Sequence, residues 1–189
     1  MSEPHSDSDG LGRALGWLDA GRRVAVATVT ASWEGAPRRP GSLLALAEGG
    51  GVAGSVSDGC VEESVVRQGL RAIEDGEQRL LAYTIADDIA RQAGLAGGGR
   101  IELYLEPVDP GTPGHRLLER VARARAEGLA AALVTDLVTG LKTLVYPETV
   151  HGGFGLDGPV LAEIRACLAD RRCAVLEPSE DSRLWVQVF

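Results

Sequence analysis

Residues 23–32 read RVAVATVTAS, and this stretch decides the fold class of the chain. Its β-branched residues predict a buried strand. The segments SLLALA at 42–47 and VAGS at 52–55 predict two further strands, with the glycines at 49–51 forming the turn between them. The spacing of these segments predicts a sheet whose members are joined by short turns.

Helical patterns lie on both sides of these strands. Residues 10–20 place apolar side chains on one face and end at Gly21, and a second helix runs from Val61 to just before Gly76. The later predicted elements are strands at 80–85 and 100–106 joined by a short helix and a glycine-rich loop, a helix at 115–127, a hairpin of 129–138 and 141–146, a helix opened by Asp157 and Pro159, and strands at 173–176 and 184–188. No internal repeat is evident.

The interleaving of these elements predicts an α/β (or α+β) fold with a mixed β-sheet packed with helices. The chain of 189 residues is long enough for one domain and short for two, so we expect a single domain over residues 11–189. The polar, acidic residues 1–10 are expected to form a disordered tail.

Charge and composition exclude several classes of function. A net charge of −8 argues against nucleic-acid binding, because the surface repels phosphate. No apolar run is long enough to span a membrane and no signal peptide precedes the domain, so a cytoplasmic protein is expected. Cys60, Cys167 and Cys173 have unrelated spacings, and the three histidines are scattered, which argues against a structural zinc site or a disulfide framework.

The segment GAPRRPGS, residues 35–42, follows the first strand. Its prolines restrict the loop, Gly41 lets backbone approach a ligand, and Arg38 and Arg39 offer planar guanidinium groups that suit phosphate or carboxylate. Alternatively, the loop is a rigid connection whose arginines meet the surface acids of the protein itself.

The segment GSVSDGCVE, residues 54–62, delivers Cys60 to the start of the second helix. Free amides and the helix dipole at that end favour an anion, so we expect either a thiol of lowered pKa or a bound phosphate. Such a thiol can act as a nucleophile or as a ligand to a soft metal. The alternative is a small buried cysteine that fills a tight turn.

A third segment, GLAGGGR at 94–100, is a glycine-rich loop that enters a strand. By itself it is a weak signal of a ligand site, because flexible turns have the same composition. Cys167 lies on the apolar face of the last helix and is expected to be a core residue, and Cys173 has no assigned role.

The three segments, in this order and at this spacing, resemble the N-terminal domain of the XdhC/CoxI family. The resemblance continues loosely through VYP at 145–147 and HGG at 151–153, and so covers most of residues 11–189. It implies a chaperone that binds molybdenum cofactor, as molybdopterin or its dinucleotide form. Such a chaperone supports sulfuration of the cofactor and hands it to xanthine dehydrogenase, aldehyde oxidoreductase or CO dehydrogenase type enzymes.

The site expected from this resemblance combines the three segments. Cys60 would contact the molybdenum or take part in sulfur transfer. The expected cofactor-binding residues are Arg38, Arg39, Gly41, Ser55, Ser57, Gly59, Cys60, Glu62, Gly98 and Gly99. The protein would be an accessory factor rather than a free-standing enzyme.

Three departures from the family pattern bear on this expectation. Gly97 stands where relatives usually have a second cysteine, and Asp58 stands where many have glycine, which places negative charge beside Cys60 and raises its pKa. Full-length relatives also continue into a Rossmann domain. We therefore expect a separately encoded Rossmann half or a homo-oligomer as partner, besides the molybdenum hydroxylase client.

Two other functions stay open at this point. Cys60 could be the nucleophile of a sulfurtransferase or hydrolase, which would need a base near its thiol. Alternatively, the chain could be a docking module that binds no cofactor, in which case Cys60 would be buried and Arg38 and Arg39 would pair with the acids of the chain.

Overall fold

The computed structural model describes residues 9–92 and 94–189. The chain divides into two compact units, Met1–Arg116 and Leu117–Phe189. The predicted disordered tail, residues 1–10, lies outside the described residues except for Asp9 and Gly10, which begin the first helix. Whether the two units behave as the single domain expected over residues 11–189 stays a prediction.

The first unit contains a sheet whose strands all pair antiparallel. Its elements in chain order are α1 (Asp9–Asp19), β1 (Val24–Ala31), β2 (Leu43–Ala47), β3 (Gly51–Gly54), α2 (Glu62–Asp75), β4 (Arg79–Ile85), α3 (Asp87–Gln92) and β5 (Gly99–Val108). The described strands form the order β3-β2-β1-β5-β4, so the segment that decided the fold class lies at the centre.

Burial explains why β1 is central. Residues 24–30 are all buried, which matches the apolar and β-branched character of RVAVATVTAS. Ala25, Ala27 and Val29 lie in one core with Val65 and Ile73 of α2. Because alternate residues of a strand point to one face, this core fixes α2 against that face of the sheet.

The second unit has a sheet of its own. Its elements are α4 (Pro113–Ala126), whose first turn precedes the unit boundary, then β6 (Ala132–Asp136), β7 (Lys142–Val145), β8 (Val150–Gly152), α5 (Gly158–Ala169), β9 (Ala174–Ser179) and β10 (Ser182–Val188). The strands pair antiparallel in the order β8-β7-β6-β10-β9. Cys167 is fully buried in the core of this unit, as expected.

The two units share one topology. Each consists of a helix, three strands, a helix and two strands, and the strand order β3-β2-β1-β5-β4 becomes β8-β7-β6-β10-β9 when every strand number is raised by five. The main difference is α3, which lies between β4 and β5 and has no counterpart between β9 and β10. The chain is therefore a duplication of one architecture, a feature that the sequence did not reveal.

The predicted α/β (or α+β) class is confirmed, and nearly all predicted elements are present within a few residues. The strands form two antiparallel sheets, where one mixed sheet was expected. Consecutive strands within a sheet mostly pair as antiparallel neighbours, whereas α2 and α5 each connect the two edge strands of a sheet. Local periodicity does not specify these pairing partners. Within residues 9–92 and 94–189, no helix is both long enough and apolar enough to span a membrane.

Candidate functional site

The turn between β3 and α2 is organised around the carboxylate of Glu62. The hydroxyl of Ser55 donates to its Oε1 (2.6 Å), as do the amides of Val56 (3.1 Å) and Ser57 (2.8 Å). The amide of Gly59 (2.8 Å) and the hydroxyl of Ser57 donate to its Oε2. Burial alone raises the pKa of Glu62, but these hydrogen bonds outweigh it and hold the pKa at about 2.

This network occupies the amides that were expected to bind an anion. The amide of Val61 donates to the hydroxyl of Ser57 (2.9 Å), and the amides of the turn donate to Glu62. The anion at this helix N-terminus is therefore a side chain of the protein itself. Ser55, Ser57, Gly59 and Glu62 lie together as predicted, and their contact with a cofactor stays a prediction.

Arg38 joins the first two sequence segments. Its Nε and a terminal nitrogen donate to Oδ1 of Asp58 (2.7 and 2.6 Å). Asp58 has a φ of 55°, so the ion pair helps to hold a residue in the left-handed region. Arg39 is exposed, while the amide of Gly41 donates to the carbonyl of Val29 (2.8 Å) and ties the loop to β1.

The glycines of the third segment have packing roles. The amide of Gly98 donates to Oδ1 of Asp87 (2.9 Å). A Cβ at Gly98 would overlap the carbonyl of Ile85, and one at Gly99 would overlap the ring of Trp33. Close approach of neighbouring protein atoms therefore accounts for both glycines, and their predicted role in cofactor binding stays untested.

Cys60 is half-buried and packs against the core of the first unit. Burial raises the pKa of its thiol, and the carboxylates of Glu62 and Asp58 raise it further. The expected lowered pKa is therefore wrong, because the thiol is partly buried and Glu62 takes the helix-terminal amides that would stabilise a thiolate. The effect expected of Asp58 is confirmed. Cys60 is a neutral thiol at neutral pH.

This ionisation state can be tested by alkylation. Because the pKa of Cys60 is raised, its reaction with iodoacetamide should have an inflection at a higher pH than that of an exposed reference cysteine in a peptide. Asp58→Asn should move the inflection downward by removing one of the causes. Residue-resolved mass spectrometry separates Cys60 from Cys167 and Cys173, and an inflection below that of the reference peptide would contradict the assignment.

A groove of about 470 Å³ opens beside Cys60. It lies between the start of α2, the end of β4 and α3. Its lining residues in the described part of the chain are Gly59, Cys60, Val61, Glu63, Ser64, Arg67, Tyr83, Thr84, Ile85 and Ile89. Its volume is within the range of small-molecule sites, and the mixture of apolar and polar groups is typical of them.

Only two residues of the expected site, Gly59 and Cys60, are among these lining residues. Ser64, Arg67 and Tyr83 were missed by sequence reasoning. Ser64 and Arg67 follow Cys60 by four and seven residues, so the helical period offered a signal for them. Tyr83 offered none, because its position depends on how β4 packs beside α2.

The segment that contains β1, the Arg38 loop, the Cys60 turn and α2 is similar to a known family. Residues 17–84 match the XdhC and CoxI family. The resemblance stated from the motifs is thereby confirmed for this segment, which also includes Ser64, Arg67 and Tyr83. Gly98 and Gly99 lie outside the match to the XdhC and CoxI family.

The fold has a solved counterpart. A crystal structure from Bacillus halodurans, described as a xanthine dehydrogenase, is similar with a TM-score of 0.62 and 20% sequence identity. The similarity covers 93% of this chain and 52% of that one, so this chain spans about half the length of that protein. At this identity the likeness establishes the fold. A comparison with curated proteins gave no match.

Proposed function

We propose that the chain is an accessory protein that binds molybdenum cofactor as cargo and supports its maturation, sulfuration and insertion into a molybdenum hydroxylase. The observation that carries the proposal is the groove beside Cys60, which lies within a segment that matches the XdhC and CoxI family apart from Ile85 and Ile89. Clients would be enzymes of the xanthine dehydrogenase, aldehyde oxidoreductase or CO dehydrogenase type.

The residues of the groove fit such a cargo. Sulfur is a soft donor that suits a molybdenum centre, and Cys60 is among the residues that line the groove. Because the thiol of Cys60 is neutral, contact with a metal would release its proton, so binding would tighten as the pH rises. A groove open to solvent allows entry and release, which delivery of a cargo requires.

A cysteine-dependent sulfurtransferase or hydrolase is less well supported. A nucleophilic thiol needs a base or a lowered pKa, whereas Cys60 has a raised one. The two carboxylates that act on this pKa are already engaged, Glu62 by the amides of the turn and Asp58 by Arg38. His115 accepts a hydrogen bond from the amide of Gly111.

The structure agrees only in part with the alternative that the chain is a docking module without a cofactor. Arg38 does pair with an acid of the chain, as that alternative predicts. Cys60, however, lines a groove of ligand size and is not fully buried. A cytoplasmic location is part of the proposal. A separately encoded Rossmann half or a homo-oligomer stays a predicted partner.

Retention of cofactor by variants tests the role of Cys60. The wild type, Cys60→Ala and Cys173→Ser would be purified anaerobically from a host that makes molybdenum cofactor, and metal and oxidised pterin would be quantified. We expect Cys60→Ala to lose about tenfold or more of the bound metal. Cys173→Ser keeps an acceptor for the amide of Val188 and should match the wild type. Equal metal on all three proteins would contradict the role of Cys60.

A further inference from the structure

We propose that Arg67, Ser64 and Tyr83 form an anion-binding wall in the groove and hold a phosphate of the cargo, while Cys60 faces its metal end. This inference rests on the proposed function and assigns the two ends of the ligand. It moves the phosphate contact away from Arg38, Arg39 and the helix N-terminus, where the sequence had placed it.

The helical period brings the groups to one side of α2. Ser64 and Arg67 are three residues apart and lie along one face of the helix, while Cys60 lies in the turn just before it. From Glu62, the first residue of α2, to Arg67 the helix rises about 7.5 Å. This offset suits an elongated ligand, such as a pterin that carries a metal and a phosphate.

The wall is already connected by hydrogen bonds. The phenol of Tyr83 donates to Oγ of Ser64 (3.2 Å), and a terminal nitrogen of Arg67 donates to the same atom (3.4 Å). Because Ser64 accepts from both neighbours, its own hydroxyl hydrogen can donate to a ligand in the groove. Ser64 and Arg67 thus offer donors where an anion would lie, and Tyr83 orients the hydroxyl of Ser64.

The distribution of charge along the groove determines which part of it binds the phosphate of the ligand. Glu62 and Asp58 carry negative charge close to Cys60 and disfavour a phosphate at that end. Arg38 is held by Asp58 at 2.6 Å. Arg67, by contrast, makes a hydrogen bond of 3.4 Å to Ser64 and a long ion-pair contact of 3.8 Å with Glu63, whose side chain is 98% exposed. Such an exposed pair contributes little, so the guanidinium of Arg67 can turn to an anion at small cost.

The test compares affinities for isolated molybdenum cofactor by anaerobic equilibrium dialysis, with pterin fluorescence after oxidation as the readout. We expect Arg67→Gln to weaken binding by ~10- to 100-fold and Tyr83→Phe by a smaller factor. Arg71→Gln removes an equal charge one turn further along α2, outside the groove lining, and should stay within about twofold of the wild type. Inorganic phosphate should compete with the cargo on the wild type and much less on Arg67→Gln.

The outcomes separate this inference from the proposed function. Wild type that binds no cofactor would overturn both. Wild type and Arg67→Gln with equal affinity would overturn only the anion-binding wall, and would do so most clearly if Arg38→Gln were the variant that lost affinity. Equal losses in Arg67→Gln and Arg71→Gln would show a general effect of charge and would also overturn it. Circular dichroism would establish that each variant is folded.

Discussion

Gly54→Ala is expected to lower the free energy of unfolding by about 3 kcal/mol or more. Gly54 ends β3 with a φ of +81°, a conformation that L side chains rarely adopt. An added Cβ would also overlap the carbonyl oxygen of Leu43, the atom that accepts a hydrogen bond from the amide of Ser55 (3.0 Å). The substitution therefore strains the backbone just where the chain leaves the sheet for the Cys60 turn. Chemical denaturation measures the change.

A matched control separates the overlap from the backbone conformation. Gly35 has a similar φ of +87°, but a Cβ there would meet nothing within 4 Å. Gly35→Ala should therefore cost only about 1 kcal/mol, the penalty of the left-handed conformation. If both variants lost the same stability, the close approach of Gly54 to Leu43 would have no energetic weight, which would contradict the explanation.

Glu62→Ala is the second substitution with a large expected effect. It removes the acceptor of two serine hydroxyls and several amides of the Cys60 turn. Leaving such partly buried donors without a partner should lower the free energy of unfolding by about 2–3 kcal/mol. Glu63→Ala is the control, because that neighbouring side chain is 98% exposed and should change stability by less than about 0.5 kcal/mol. Equal effects of the two would contradict the role of Glu62.

The low pKa of Glu62 makes its contribution depend on pH. The pKa falls from an ordinary 4.5 to about 2 in the folded protein. A lowered pKa gives stability that is fully present above the unfolded value and is lost as the pH falls through the folded value. The difference in unfolding free energy between wild type and Glu62→Gln should therefore be constant above about pH 5 and shrink toward pH 2. A difference that is independent of pH would contradict this assignment.

Much of the first unit could be predicted because its signals are local. The β-branched run at residues 23–32, the glycine turn at 49–51 and the periodic helix after Val61 each follow from composition within a few residues. The short strand β8 (Val150–Gly152) was missed, because its exposed residues carry no pattern of burial. The division into two sheets was missed as well, because pairing depends on contacts between distant segments.

The duplication is another feature that local sequence patterns do not reveal. Residues 58–61 read DGCV before α2, and residues 157–160 read DGPV before α5. In the second unit Asp157 caps its helix by accepting from the amide of Val160 (2.9 Å), and Pro159 stands where the first unit has Cys60. Four residues are too few to indicate a repeat, yet the matching strand orders reveal one.

For the candidate site, the sequence predicted which segments meet but not what their groups do. Arg38 and the Cys60 turn are in contact, as their shared assignment to one site required. The sequence indicated Glu62 only as an acidic residue in the first turn of a helix. In the structure its carboxylate accepts hydrogen bonds from the residues of the turn, and the sequence does not show where its oxygens point. The raised pKa of Cys60 follows from burial and from the carboxylates of Glu62 and Asp58, and the motif alone does not indicate the burial.

The most direct test of the central claim is the molybdenum and pterin content of the wild-type protein after anaerobic purification from a host that makes molybdenum cofactor. Mass spectrometry of the metal and fluorescence of the oxidised pterin would each be expressed per chain. Cofactor binding in the groove predicts metal and pterin in equal amounts, both approaching one per chain. Protein that is folded and carries neither, even after incubation with isolated cofactor, would contradict the claim that this chain binds the cofactor as cargo.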